Sequence, residues 1–354
     1  MLHIYFELHT ESVGLQIITN LEFLLNILVN REITSKLIIF RLLPRFSGHR
    51  VTICCLSYPH DRTSLNCYCV FIRYKLNDDH CVLVTSSQDS AGVTMSRYLI
   101  TSAEFASESK RGNADGESYQ SLRHKNIQLH IISGNLLTLE KINDLYPRAD
   151  VFIFLSKHRS HSSIPTLTCH FTGNFSAANS YGGNPRQIAI SYPSLQKGYL
   201  KAITAAARQK VPEYEVIIEA THHGPTSLNK PLLFVELGSS EKQWTDENAA
   251  AVICDTLLHV LENGFERCEK VGIALGGTHY PRKFNKLLLE SNFGLAAVAS
   301  KYNLEAIDDA MLNQMIEKSI EKVTHIVLDS KGLGSEKDRI LKNVEKTSLE
   351  LYRV

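Results

Sequence analysis

Two neighbouring stretches, "YEVIIEATHHGPT" (214–226) and "LLFVELGSSEKQW" (232–244), decide how this chain folds. Each begins as a nearly continuous apolar run and ends in small and polar residues. Successive side chains of a strand point to opposite faces, so a run that is apolar at every position is a strand covered on both sides. The same shape recurs in "CVLVTSS", "IQLHIIS", "DVFIFLS", "QIAISYP", "VGIALGG" and "HIVLDS". Helical patterns alternate with these runs. "PSLQKGYLKAITAAARQK" (193–210) opens with Pro and closes on basic residues, as the two ends of a helix dipole favour. "TDENAAAVICDTLLHVLENG" (245–264) offers Thr245 as N-cap, then an apolar stripe of Ala250, Ile253, Leu257 and Leu261, then Gly264 as a stop. The segments 305–323 and 335–351 read as two more amphipathic helices. Strand–helix alternation predicts an α/β fold: a layered sandwich on a mostly parallel or mixed central sheet.

This regularity starts near residue 81. Residues 1–80 hold apolar clusters with little evident helix or strand order, and they read as an N-terminal extension of unknown role before a catalytic domain over 81–354. The polar, glycine-containing stretch "EFASESKRGNADGESYQ" (104–120) reads as a surface loop or a disordered insertion. Net charge is +1 over 354 residues, so no global field points to a polyanion or a membrane surface. No apolar run approaches the roughly 18 residues of a membrane span, and no signal-peptide pattern opens the chain. The expectation is a cytoplasmic protein whose eight cysteines are reduced thiols.

In α/β sheets, ligands bind beyond the carboxyl ends of strands. Several predicted strands end here in unusual polar tips: "KHRSHSS" (157–163), "ATHHGPT" (220–226), "GSSEKQW" (238–244) and "THYPRKF" (278–284), with "TCHFTGNF" (168–175) between the first two. These segments carry His158, His161, His170, His222, His223 and His279, six of the fifteen histidines, and Glu219 and Glu236 adjoin them. A single histidine at a strand end is most often a hydrogen-bonded turn residue. Several converging on one side of one sheet have no packing rationale, and imidazole is both the commonest metal ligand and the usual acid/base near neutral pH. The pair at 222–223 is not an HExxH helix motif, whose ligands lie four apart on one helix face. Adjacent residues of an extended segment point to opposite sides, so one of His222 and His223 is expected to face the pocket and the other to brace it. No GxSxG, P-loop or dinucleotide fingerprint is present. Cys169 and His170 alternate across a strand and make no nucleophile pair.

The motifs "SKHRS", "TCHFTGNF", "YGG", "EATHHGPT", "VELGSSEKQW" and "GIALGGTHYPRKF" resemble, in order and approximate spacing, the archaeal- and plant-type D-aminoacyl-tRNA deacylases. The resemblance runs over roughly residues 82 to 335. It implies a fold like the phosphorylase/peptidyl-tRNA hydrolase type of three-layer sandwich, and hydrolysis of the ester joining a D-amino acid to the 3′ end of tRNA. It also implies zinc, two ions per subunit. The family's "DPAS"-like segment is kept only loosely, as Asp89-Ser90-Ala91. On this basis the candidate metal ligands are His158, His170, His222 and His279, and the candidate catalytic groups are Glu219, His222 and His223. Candidate contacts to the tRNA end are Arg159, Thr172, Asn174, Gly238, Ser239, Ser240, Lys242, Trp244, Arg282 and Lys283. The partner expected is the aminoacylated 3′ end of tRNA, with no membrane and with a homo-oligomer left open. The alternatives are a related hydrolase or phosphorylase acting on peptidyl-tRNA or nucleosides, and a non-catalytic tRNA-binding module.

Overall fold

Apolar runs of the kind quoted above build a mixed sheet in the computed structural model of the protein. The structure describes the backbone of residues 2–6, 38–46, 49–56, 69–75, 81–102, 105–114 and 117–354, and side chains of 81–102, 105 and 118–354. The chain divides into two units, Met1–Asn77 with Glu262–Arg267, and Asp78–Leu261 with Cys268–Val354. The first unit holds β1 (Leu2–Phe6), β2 (Ile38–Phe46), β3 (His49–Leu56) and β4 (Cys69–Lys75). Residues 1–80 showed little evident helix or strand order in sequence; the described part of their backbone forms these strands of one sheet, and the role of the extension stays open.

The second unit carries β5 (Cys81–Ser86), β6 (Ala106–Ala114), β7 (Glu117–His124), β8 (Ile127–Ile132), β9 (Val151–Arg159), β10 (Thr166–His170), β11 (Gly173–Asn174), β12 (Gln187–Ile188), β13 (Glu215–Ile218) and β14 (Leu232–Ser239). The short β15 (Phe265–Glu266) pairs antiparallel with β4 and belongs to the first unit. Then follow β16 (Lys270–Leu275), β17 (Phe293–Ala299), β18 (His325–Leu328) and β19 (Glu350–Arg353). The main sheet has eight strands in the order β13-β10-β14-β9-β5-β8-β7-β6. Pairs β14–β9, β9–β5, β5–β8 and β10–β13 are parallel, and β10–β14, β8–β7 and β7–β6 are antiparallel, so the expected mixed sheet is present.

Two expectations are corrected. The polar stretch 104–120 contributes strands β6 and β7, because ladder hydrogen bonds from β7 to β8 and from β6 to β7 supply an order that local composition does not advertise. The runs "VGIALGG" and "HIVLDS" leave the central sheet. They form β16 and β18 of a second, four-stranded parallel sheet, β17-β16-β18-β19, packed over its own core of Ile273, Leu275, Ala299, Met311 and Ile326. The helix Pro193–Lys210 has the predicted bounds. The next begins at Glu247, with Asp246 rather than Thr245 as its cap: Asp246 Oδ1 accepts from Asn248 N at 2.9 Å and Ala249 N at 3.1 Å. The last two helices are shorter than expected, Asp309–Glu317 and Lys337–Glu345. Among the described residues no helix is long and apolar enough to cross a membrane. The described cysteines Cys81, Cys169, Cys254 and Cys268 are free; side chains of Cys54, Cys55, Cys67 and Cys69 lie outside the described residues.

What positions the site is the register of the central strands. Along β9, Phe152 and Phe154 share one face, and Leu232 and Phe234 of β14 share it with them. All four are fully buried, each contributing about 2–3 kcal/mol of apolar burial. Continuing two residues at a time, the same face carries Ser156 then His158 on β9, and Glu236 then Gly238 on β14, paired Ser156↔Glu236 and Gly238↔His158. His170 of antiparallel β10 pairs with Phe234 and stacks on its ring at 5.4 Å. A phenylalanine core thus turns polar at the strand ends.

Candidate active site

Glu236 comes first, because it is a carboxylate on an otherwise apolar strand. Ser156 Oγ donates to its Oε1 at 2.7 Å, and His158 Nδ1 lies 3.5 Å from its Oε2. His158 Nδ1 also approaches Glu219 Oε1 at 3.0 Å, while its Nε2 meets the Tyr280 hydroxyl at 3.1 Å. The His158 carbonyl accepts from Trp244 Nε1 at 2.7 Å. Opposite, an added Cβ on Gly238 would sit 2.6 Å from His158 Cβ, so only glycine leaves room for this ring. Glu219 follows β13 directly. Its Oε2 accepts from His279 Nε2 at 2.8 Å and lies 3.7 Å from His222 Nε2. The two sheets are stitched together at this point: Ala220 N donates to the His279 carbonyl at 2.8 Å and Thr221 N to the Val298 carbonyl at 2.9 Å.

Charge follows geometry. Burial works against both carboxylates, but the histidines outweigh it and hold Glu219 and Glu236 well below the usual carboxylate range. Burial likewise opposes charge on His158, and its two carboxylate neighbours outweigh it, raising it to about 10. His158 is therefore a cation wedged between two anions. His222 and His223 go the other way. Burial, then the adjacent imidazoles, push His222 well down and His223 to about 4, so both are neutral at pH 7.

The three remaining rings form a distinct set. His170 Nδ1 lies 3.1 Å from the Phe171 carbonyl, His222 Nδ1 2.8 Å from the Ala220 carbonyl, and His223 Nδ1 2.7 Å from the Gly224 carbonyl. A carbonyl only accepts, so each Nδ1 carries a proton, and in the neutral ring each Nε2 keeps its lone pair. The ligand atoms of His170, His222 and His223 lie within 4.8 Å of one another. His170 Nε2 is buried with no hydrogen-bond partner; the nearest Glu236 oxygen is 3.7 Å away and acts through its charge. Burial opposes charge on His170, but the Glu236 and Glu219 charges outweigh it and raise its pKa, so a zinc ion would take the place of that proton. With the neutral imidazoles of His222 and His223 beside the orphaned His170 nitrogen the set fits a zinc ion, and the backbone carbonyls orient the rings as supporting groups do in metal sites. Two further sets come within the same span: Glu219, His222 and His279, and His158, Glu219 and Glu236. The last is already compensated by the proton on His158.

His222 and His223 do not divide into a pocket-facing ring and a brace. His223 has φ +43°, which breaks the alternation of an extended chain, and both rings turn to the same side with centroids 4.4 Å apart. Both line a cavity of about 1060 Å³ with His158, Arg159, Glu219, Ser239, Ser240, Trp244 and His279. His170 lies behind them, fully buried. Thr172 and Asn174 brace instead of lining. Thr172 Oγ1 donates to the Pro225 carbonyl at 2.6 Å, and Asn174 Nδ2 to the Gly182 carbonyl at 2.8 Å. Gly238 offers no free amide edge, since it sits in the sheet between β9 and β10. Lys242 is exposed and outside the cavity lining. Arg282 and Lys283 are also absent from that lining: Arg282 pairs with Glu215 at 2.5 Å, and Lys283 with Asp329 at 2.7 Å. The helix Arg282–Glu290 carries both to these local acids.

Sequence reading noted Glu236 beside the histidines but assigned it no role of its own, although it shares parity with Phe234 and is the sole charge in its run. It missed Tyr280, Lys157 and Glu140 altogether. Lys157 Nζ lies 5.5 Å from the Trp244 ring centroid, giving the cleft mouth a cation beside an aromatic face. The Glu140 carboxylate accepts from Thr226 N at 3.0 Å and Ser227 N at 2.9 Å, and so clamps the turn just past the histidine pair. Burial shields Cys169 and raises its thiol pKa, which leaves it unreactive.

A family model described as D-aminoacyl-tRNA deacylase matches residues 145–352. A D-aminoacyl-tRNA deacylase of Cenarchaeum symbiosum (strain A) is 37% identical over 270 residues, covering 76% of this chain and 98% of the relative. One from Methanosarcina mazei is 33% identical over 287 residues, covering 78% and 93%. Among solved structures, the crystal structure of a conserved protein of unknown function, AF0625, is similar with a TM-score of 0.69 and 25% identity over 78% of this chain and 95% of that one.

Proposed function

This chain belongs to the D-aminoacyl-tRNA deacylase family and is an enzyme that hydrolyses the ester of D-aminoacyl-tRNA, and we propose that its three-histidine cluster holds the zinc ion this hydrolysis uses. The observation that carries the reading is that three rings, each held at Nδ1 by a backbone carbonyl, bring ligand atoms within 4.8 Å of one another, His222 and His223 neutral and the His170 Nε2 without a hydrogen-bond partner. Zinc held by these three histidines would supply Lewis acidity toward the ester carbonyl and the attacking water. A second ion would be held by Glu219 with His158 and Glu236, at the expense of the His158 proton.

The chain's own residues do the rest. Glu219 can only accept from His279 Nε2, so His279 presents Nδ1 as its free lone pair, on a ring that is 38% exposed at the cleft. That is the arrangement of a general base with its orienting carboxylate. His279 takes a proton as water oxygen attacks the ester carbon, and returns it to the ribose oxygen as the ester C–O bond breaks. The cavity of about 1060 Å³ exceeds what a free amino acid fills and suits an aminoacylated nucleoside. Trp244 would stack the terminal base, and Lys157 and Arg159 would meet the phosphate; the support is that all three line the cavity, with Lys157 beside the Trp244 ring. The reading places the enzyme in the cytoplasm, where charged tRNA is found.

The test is a deacylation assay on D- and L-tyrosyl-tRNA with parental protein, chelator-stripped protein, and stripped protein refilled with zinc, alongside metal analysis of His222→Ala. The expected result is hydrolysis of the D-ester, loss of at least about a hundredfold on stripping, and recovery with zinc. Full activity in stripped protein shown to be zinc-free would remove the metal from the mechanism.

A further inference from the structure

We propose that Tyr181, with Leu137, forms the wall that receives the amino-acid side chain of the substrate and so sets a preference for large side chains. The proposal rests on the D-aminoacyl ester reading above. It begins from the make-up of the cleft lining, which holds the cationic and aromatic groups Lys157, Arg159 and Trp244 and also the apolar groups Leu136, Leu137 and Tyr181. Tyr181 is 72% exposed, the most exposed of the large apolar side chains described.

Its ring has little packing of its own, yet its backbone is tightly held. The Tyr181 carbonyl accepts from Gly224 N at 3.0 Å, and Gly182 N donates to the Asn179 carbonyl at 3.0 Å. Asn179 Nδ2 donates to the Gly183 carbonyl at 3.1 Å. Gly182 has φ +78°, and a Cβ there would fall 1.9 Å from the Leu137 carbonyl oxygen, so the loop lies backbone against backbone on Leu137. A fixed main chain that displays an unpacked aromatic at a cleft mouth holds that ring for a ligand.

Geometry selects the part of the ligand. Gly224, which binds the Tyr181 carbonyl, directly follows His223, so Tyr181 is tied to the end of the cleft where the ester carbonyl reacts. The amino-acid side chain branches one carbon from that carbonyl. Trp244 is tied through its indole N–H to the His158 carbonyl and has the Lys157 cation beside its ring, a pairing that suits the nucleotide rather than the amino-acid side chain.

The experiment compares kcat/KM for one tRNA body carrying D-phenylalanine or D-alanine, using the parental enzyme, Tyr181→Ala and Tyr181→Phe. Tyr181→Ala should lower the D-Phe over D-Ala ratio about tenfold, mainly through KM, while Tyr181→Phe keeps the ratio within about twofold of parental. High exposure of the ring makes both variants foldable, and a thermal melt checks this. An unchanged ratio in Tyr181→Ala, or an equal fall on both substrates, overturns the assignment; the equal fall would place the ring on the nucleotide. Parental protein that deacylates neither ester would overturn the underlying hydrolase reading, and this proposal with it.

Discussion

Gly238→Ala tests the register argument most sharply. Gly238 lies across from His158 in the parallel β9–β14 ladder. A methyl group there would stand 2.5 Å from the His158 carbonyl oxygen, 2.6 Å from its Cβ and 2.8 Å from its Cδ2. Ordinary contacts begin near about 3.5 Å, so roughly 1 Å of separation must be found. His158 has nowhere to give it. Its carbonyl holds Trp244 at 2.7 Å, its Nδ1 sits 3.0 Å from Glu219, and its Nε2 sits 3.1 Å from Tyr280. Overpacking of a well-filled site costs about 1–3 kcal/mol, and here the upper end applies because two of the three contacts involve backbone or Cβ atoms. His158 holds Glu219, the carboxylate that orients His279, and a misplacement of about 1 Å in such a site costs on the order of a hundredfold in rate. Urea unfolding should therefore show about 3 kcal/mol lost. Deacylation should fall about a hundredfold in kcat with a smaller change in KM. A variant with parental stability and parental kcat would refute the claim that β14 has a glycine here to seat His158.

Two other outcomes follow from the site. In chelator-treated protein, His158 is raised to about 10 from its ordinary value of 6.5, so the stability it contributes is complete below about pH 6.5 and lost as pH rises through about 10; urea midpoints at pH 7 and pH 11 should show the fall, and His158→Gln should flatten it. Glu140→Ala removes the acceptor for two amides and a hydroxyl beyond the histidine turn, at a cost of about 1–3 kcal/mol, and should lower zinc affinity with the cleft otherwise intact, read by competition with a chromogenic chelator.

The alternation of apolar runs with amphipathic helices was sufficient for the α/β class, and the strand-end rule located the histidines that line the cleft. Glu236 was legible in principle, by counting two from Phe234, but a lone carboxylate in a strand has many local explanations until the register shows what lies beside it. The hairpin of β6 and β7 was not legible, since its order comes from the edge of β8.

The sequence alone determined the family, the strand runs and the polar tips, because side-chain parity and local composition are properties of contiguous residues. Tertiary structure alone decided the rest. A left-handed backbone at His223 brings both histidines to one face. Main-chain bonds from Ala220 and Thr221 to the second sheet bring Glu219 to His279. Local acids hold Arg282 and Lys283 away from the cleft. Each of these depends on which distant group stands within about 3 Å, and spacing along the chain carries no information about that distance.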